Sequence, residues 1–262
     1  MLTPALVVQG VLAVFGLAMG SAVTALAWRV PRRISWAQGR SACPACQHSL
    51  GPADLVPLLS FVLARGRCRH CGERISWRYP VTELLCAAWA LLLLLKVGLV
   101  WAYLPLAFWG FLLVALLWID LDFQILPDVL TWPGMGLGLA ATLLLMGPRA
   151  GALHAVFGVV AGSGVLGLLL WGWLTFLKRE GMGLGDVKLA AMFGVVLGWK
   201  LTVITLFLAS LAGSLWGAVL MARGRGGMRS ELPFGTLLAP AALIAFLWAQ
   251  AWLDAYLGLL RH

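Results

Sequence analysis

The residues able to do chemistry fall into two groups, one acidic and one of cysteines. The chain has only ten acidic residues, and four of them sit in two short connections between apolar runs. One reads Asp120-Leu121-Asp122-Phe123-Gln124-Ile125-Leu126-Pro127-Asp128, the other Gly181-Met182-Gly183-Leu184-Gly185-Asp186-Val187-Lys188. Carboxylates at a hydrocarbon boundary are costly to ionise and are functional candidates by default. Two held together tend to share one proton. Such a pair can hydrolyse a peptide: the ionised partner takes a proton from water while the protonated one polarises the scissile carbonyl. Asp120 and Asp186, 66 positions apart, are the candidates. Gly181, Gly183 and Gly185 allow a sharp turn and close approach, and Asp186 opens the next helix, whose dipole favours its charge. Pro127 suits a first helical turn with Asp128 alongside it. Asp122, Asp128, Gly183, Gly185 and Lys188 are candidates for supporting that pair. Asp128 reads equally well as a helix-start charge and Asp122 as a solvated loop charge. On these residues alone a shared catalytic site and interfacial caps both stand. So does an ion-coupled transporter, which also places aspartates at broken helices.

The cysteines form Cys43-Pro44-Ala45-Cys46 and Cys68-Arg69-His70-Cys71, 21 residues apart. Two Cys-x-x-Cys knuckles point to one tetrahedral zinc site with four cysteine ligands, which would order a segment with little core of its own. Gly51-Pro52, Gly66 and Gly72 mark the turns around it. The competing readings are two disulfides, disfavoured in a reducing compartment, and a redox dithiol. His48 and His70 lie nearby as spectators, since four cysteines complete the shell. Cys86 reads as a small buried hydrophobe.

The elements carrying these groups must be membrane helices. Of 262 residues, 62% are hydrophobic and 11% charged, against about 25% charged in a soluble domain. A helix crosses a bilayer with about 20 apolar residues. Apolar runs place eight spans at about 5–28, 81–100, 103–119, 129–147, 153–177, 187–199, 201–222 and 235–258, the sixth being short and holding Gly194 and Gly198. No period-two alternation supports a β-barrel. The expected fold is therefore all-α and polytopic. Its parts are a first transmembrane helix (1–28), a small zinc-binding loop domain (29–80) and a multi-helix membrane domain (81–262). The first segment is too long for a typical signal-peptide core and is expected to remain as an anchor.

Orientation follows from the 19 Lys and Arg residues. Arg29, Arg32, Arg33, Arg40, Arg65, Arg67, Arg69, Arg74 and Arg78 lie in the first connection, Lys178, Arg179 and Lys188 at the fifth, and Arg223, Arg225 and Arg229 in the seventh. Only Lys96, Arg149, Lys200 and Arg261 fall on the other side. The positive-inside rule then puts the zinc loop and both aspartate connections in the cytoplasm and both termini outside. The +9 formal charge is thereby read as a topology signal, with no nucleic-acid partner. Trp101 and Trp252 are expected at the outer interface.

The ordered set Cys43-x-x-Cys46, Arg67-Cys68-x-x-Cys71, Tyr79-Pro80-x-x-Glu83, Asp120 through Leu126-Pro127-Asp128, Gly181-Met182-Gly183-x-Gly185-Asp186-x-Lys188-Leu189 and Pro233-Phe234-Gly235 resembles the type IV prepilin peptidases over nearly the whole chain. The resemblance implies a Gly-x-Gly-Asp aspartic protease of the bacterial inner membrane, with Asp120 and Asp186 catalytic. Its substrates would be prepilins or pseudopilins of type IV pilus or type II secretion systems, cut after their short basic leader at the cytoplasmic face. It also implies N-methylation of the new terminus with S-adenosylmethionine. Glu83 is a candidate for contacting that methyl donor, although helix-start electrostatics explains it as well. Three positions depart from the family pattern. Phe123 stands where His is frequent, Leu55 follows Asp54 where Asn is usual, and Thr236 replaces a common Pro. The Leu55 departure bears on methylation, and the Thr236 departure is expected to alter only the local start of a helix. A transporter and a non-enzymatic assembly scaffold are the alternatives.

Overall fold

The computed structural model describes residues 3–35, 41–178, 183–223 and 233–259. Arg40, Arg179, Arg225, Arg229 and Arg261 of the charge pattern, and Gly181 and Met182 of the glycine motif, lie outside the described residues. Regular structure within them is helical, in the order α1 (Pro4–Arg29), α2 (Leu59–Leu63), α3 (Arg78–Val97), α4 (Tyr103–Phe123), α5 (Asp128–Met146), α6 (Pro148–Val159), α7 (Val165–Gly172), α8 (Leu184–Ala222), α9 (Gly235–Ile244) and α10 (Gln250–Leu259). A π-helical turn, Val160–Gly164, joins α6 to α7, and another, Ala245–Ala249, joins α9 to α10. Seven helices among the described residues are long and apolar enough to cross a membrane.

The chain divides into two compact units, Met1–Leu99 and Val100–His262. In the first, α1 packs on α3, with Gly16 against Cys86 and Ala87 and Gly20 against Glu83. Small residues bring helix backbones close where lipid offers no hydrophobic drive to association. The segment between these helices carries a 3-10 turn (Pro52–Asp54), α2 and both cysteine knuckles.

In the second unit α4 is apolar around most of its length and largely covered, as a core helix must be. Leu106, Trp109, Phe111, Leu113, Leu116 and Ile119 are fully buried along it, and it packs on α5 and α9. The longest helix, α8, has 39 residues and would extend about 58 Å, roughly twice the hydrocarbon thickness. It does not run straight. Gly198 breaks it with φ 65° and ψ 178°, nearly the conformation of Gly147 (φ 78°, ψ 167°), where α5 ends and α6 begins. Only glycine takes that conformation readily. The 39-residue helix is thus two arms, matching the separate segments expected at 187–199 and 201–222.

A break in a helix frees carbonyls that, where buried, must be met from within the protein. Thr142 Oγ1 of α5 donates to Val195 O at 3.1 Å, and His154 Nε2 of α6 lies 3.1 Å from Val196 O. A carbonyl only accepts, so that ring nitrogen carries the proton. One turn earlier Trp109 Nε1 of α4 donates to Met192 O at 3.1 Å. Three neighbouring helices therefore close the end of the arm that begins at Asp186.

Candidate active site and metal centre

Asp120 lies in the last turn of α4 and is 4% exposed; Asp186 lies in the first turn of α8 and is 8% exposed. α4 stops just beyond, at Gln124, in the left-handed conformation (φ 53°). The chain then passes Leu126 and Pro127 to start α5. Leu126 is the hub of this region. Gly185 faces it so closely that a Cβ there would lie 3.0 Å from Leu126 Cβ. Gly235, at the start of α9, faces both Leu126 and Asp120: a Cβ would stand 2.9 Å from Asp120 Cγ and 3.1 Å from Leu126 Cδ1. The start of α8, which carries Asp186, thus lies against the connection that follows Asp120, through Gly185 and Leu126. Asp120 Oδ2 accepts from the backbone N–H of Thr236 and, at 2.9 Å, from its hydroxyl. The end of α4 and the starts of α8 and α9, two of them carrying a buried carboxyl group, thus meet around Leu126.

The four cysteines of the first unit also converge, their sulfurs within 4.8 Å of one another. A tetrahedral zinc with Zn–S of about 2.3 Å implies sulfur separations of about 3.8 Å, and Cys43 Sγ to Cys71 Sγ is 3.9 Å. The knuckles repeat one another at an offset of 25 residues. Cys43 N–H donates to His48 O as Cys68 N–H does to Glu73 O. Gln47 N–H returns to Cys43 O as Gly72 N–H returns to Cys68 O, and Leu50 pairs with Ser41 as Ile75 pairs with Gly66. The N–H groups of Cys71 and His70 hold the Cys68 thiol down at about 6. Cys71 is pushed up to about 12, the pull of the Glu73 N–H being outweighed by desolvation and by the Cys68, Cys46 and Cys43 sulfurs. Four crowded thiols of this kind lose their last protons to a cation, so the donor set fits zinc. His48 and His70 stack on each other, ring centroids 3.5 Å apart, outside the converging set.

Residues 14–97 match the Bacterial Peptidase A24 N-terminal domain and residues 106–218 the Type IV leader peptidase family. A prepilin leader peptidase/N-methyltransferase of Aeromonas salmonicida is 40% identical over 219 residues, 84% of this chain and 75% of the relative. The chain belongs to the type IV leader peptidase family. Proteins with the same name from Bacillus subtilis (31% identical over 247 residues, 94% of this chain and 97% of the relative) and Pseudomonas aeruginosa (37% over 219 residues, 83% and 74%) extend the similarity. No solved structure matches. With its membrane-capable helices, the chain is a multi-pass membrane protein of this peptidase family, as the ordered motifs imply.

Other residues singled out in the sequence take varied places. Gly183 is the residue before α8 and Gly185 packs on Leu126. Lys188 and Asp128 bond each other, Nζ lying 2.6 Å from Oδ1 and 2.9 Å from Oδ2. This pair links the start of α8 to the start of α5. Asp122 is exposed on the last turn of α4. Glu83 is 7% exposed and its Oε2 accepts the Leu58 N–H at 2.8 Å, anchoring a loop residue of positive φ (58°). Sequence reasoning misses Thr236 and the contact of Gly235 with Asp120. The Pro-Phe-Gly motif marks the place, but Thr236 does more than alter the start of α9.

Proposed function

We propose that this protein removes the basic leader of type IV prepilins or pseudopilins at the cytoplasmic membrane face, with Asp120 and Asp186 as a water-activating pair. The observation that supports it is that both carboxyl groups are buried, on helix ends that meet at Leu126 through Gly185 and Gly235. The leader junction docks extended between the two aspartate connections. The ionised carboxylate takes a proton from water, whose oxygen attacks the scissile carbonyl while the protonated partner donates to the carbonyl oxygen. Collapse of the tetrahedral species re-forms the C=O, returns the carbonyl oxygen's proton to the partner carboxylate and expels the amine, which takes the proton first drawn from water. No covalent intermediate forms.

Relatives named as N-methyltransferases support a second activity, methylation of the new N-terminal amine, for which S-adenosylmethionine would supply the methyl group. The carboxylate of Glu83 already accepts a loop N–H, which supports a structural role for it. Cys43, Cys46, Cys68 and Cys71 would hold a structural zinc, ordering the loop between α1 and α3.

The test incubates membranes carrying wild type, Asp120→Asn or Asp186→Asn with a prepilin, and labelled S-adenosylmethionine with precut pilin. Both variants are expected to lose cleavage by at least about 1,000-fold, on the scale of removing a group essential in a transition state, while methylating precut pilin. Cleavage by either variant would refute the shared-proton mechanism and reopen a transporter or scaffold role.

A further inference from the structure

We propose that Thr236 is a positioning residue that fixes Asp120 as the proton-accepting member of the pair; this rests on Asp120 and Asp186 being catalytic. The Thr236 backbone N–H and hydroxyl both donate to the same atom, Asp120 Oδ2. One carboxylate oxygen has two lone pairs for such bonds, so Oδ2 is filled and, among the described residues, Oδ1 is left to take the proton from water. Hydrogen bonds donated to a carboxylate favour its charged form, and here two direct ones are set against the α8 dipole that favours charge on Asp186. The N–H is one of the orphan donors at the start of α9, and Asp120 supplies its acceptor. Gly235 makes the approach possible, since a Cβ there would meet the Asp120 carboxyl group. A proline in this place would have no N–H and no hydroxyl, so it could make neither bond to Asp120.

Steady-state cleavage of a prepilin by Thr236→Ser, Thr236→Val and Thr236→Pro tests the inference, with Asp120→Asn and Asp186→Asn in parallel and thermal melts of each purified variant. Thr236→Ser keeps both donors and is expected within about 2-fold of wild type. Thr236→Val loses the hydroxyl and should lower kcat by about 10-fold at unchanged KM, the scale of one hydrogen bond to a charged group. Thr236→Pro loses both donors and should fall further. Wild-type kcat in the Val and Pro variants, with the aspartate variants inactive, would overturn the role of Thr236 and leave the pair standing. A change confined to KM, a loss shared by Thr236→Ser, or one that tracks loss of folded protein would also overturn it. Cleavage by Asp120→Asn would instead sink the catalytic pair itself.

Discussion

Asp120 has little freedom to move: Gly235 faces its carboxyl group and Thr236 binds one oxygen. Adding one methyl at Gly235 tests how tightly that placement matters. In Gly235→Ala the new Cβ would sit 2.9 Å from Asp120 Cγ, inside contact distance, and the carboxyl group must yield. A misplacement of about 1 Å at a reacting group costs on the order of 100-fold. Cleavage should therefore drop by that order while membrane insertion is preserved; an alanine variant with full activity would show that the site tolerates a shifted Asp120. At the metal centre the two knuckles differ at one telling position. Gly72 takes φ 73° in the second, and Gln47 takes φ 57° in the first. A residue with a Cβ pays about 1–2 kcal/mol there. Gln47→Gly gives up a side-chain bond to Pro44 O, yet it should slow zinc release to a chelator. Zinc should also leave as pH falls, because protons compete for the thiolates. Cys68, held at about 6, is a thiolate at neutral pH and protonates as pH drops through that value. Metal content read by atomic absorption across pH checks the sign, and zinc retained more firmly in acid would contradict a thiolate site.

At the scale of elements, the break at Gly198 decides where the Asp186 arm ends, and side chains of α4, α5 and α6 meet the carbonyls near it. His154→Phe leaves Val196 O without its partner inside an apolar unit. An orphaned buried acceptor costs about 1–3 kcal/mol, so the detergent-solubilised variant should melt several degrees lower, as should Thr142→Val. No change in either melt would mean that water reaches the break. Much of this architecture was legible in advance. Apolar runs bounded the helices, and Gly194 and Gly198 marked the short sixth segment, where Gly198 breaks the helix and Gly194 packs on Gly158. Asp120 and Asp186 stood out because acidic residues are rare here and both adjoin hydrocarbon. Thr236 did not. Its bond to Asp120 joins residues 116 positions apart, and half of it is a backbone N–H that every residue except proline possesses. His154 was equally silent, because nothing in its own helix says that a carbonyl of α8 needs a donor.

For the whole molecule the governing question is sidedness, because a leader peptidase works only if its carboxyl groups face the compartment holding the leader. The charge pattern sets an expectation by position. Arg29 ends α1 and Arg32 and Arg33 follow it, and Arg65, Arg67, Arg69 and Arg74 lie in the segment before α3, whereas the turn between α5 and α6 at Gly147 is followed by a lone Arg149. Juxtamembrane Lys and Arg are retained on the cytoplasmic side. The 19 residues of α5 extend about 28 Å, one hydrocarbon thickness, so Asp128 and Gly147 should lie on opposite faces. Fusing a phosphatase that is active only outside the cytoplasm after Gly147 should yield enzyme activity, and fusing it after Ile125, in the connection next to Asp120, should yield none. The reverse pattern would put both aspartates outside, beyond reach of a basic leader held in the cytoplasm. It would end the peptidase reading on topology alone, whatever the geometry of the carboxyl pair.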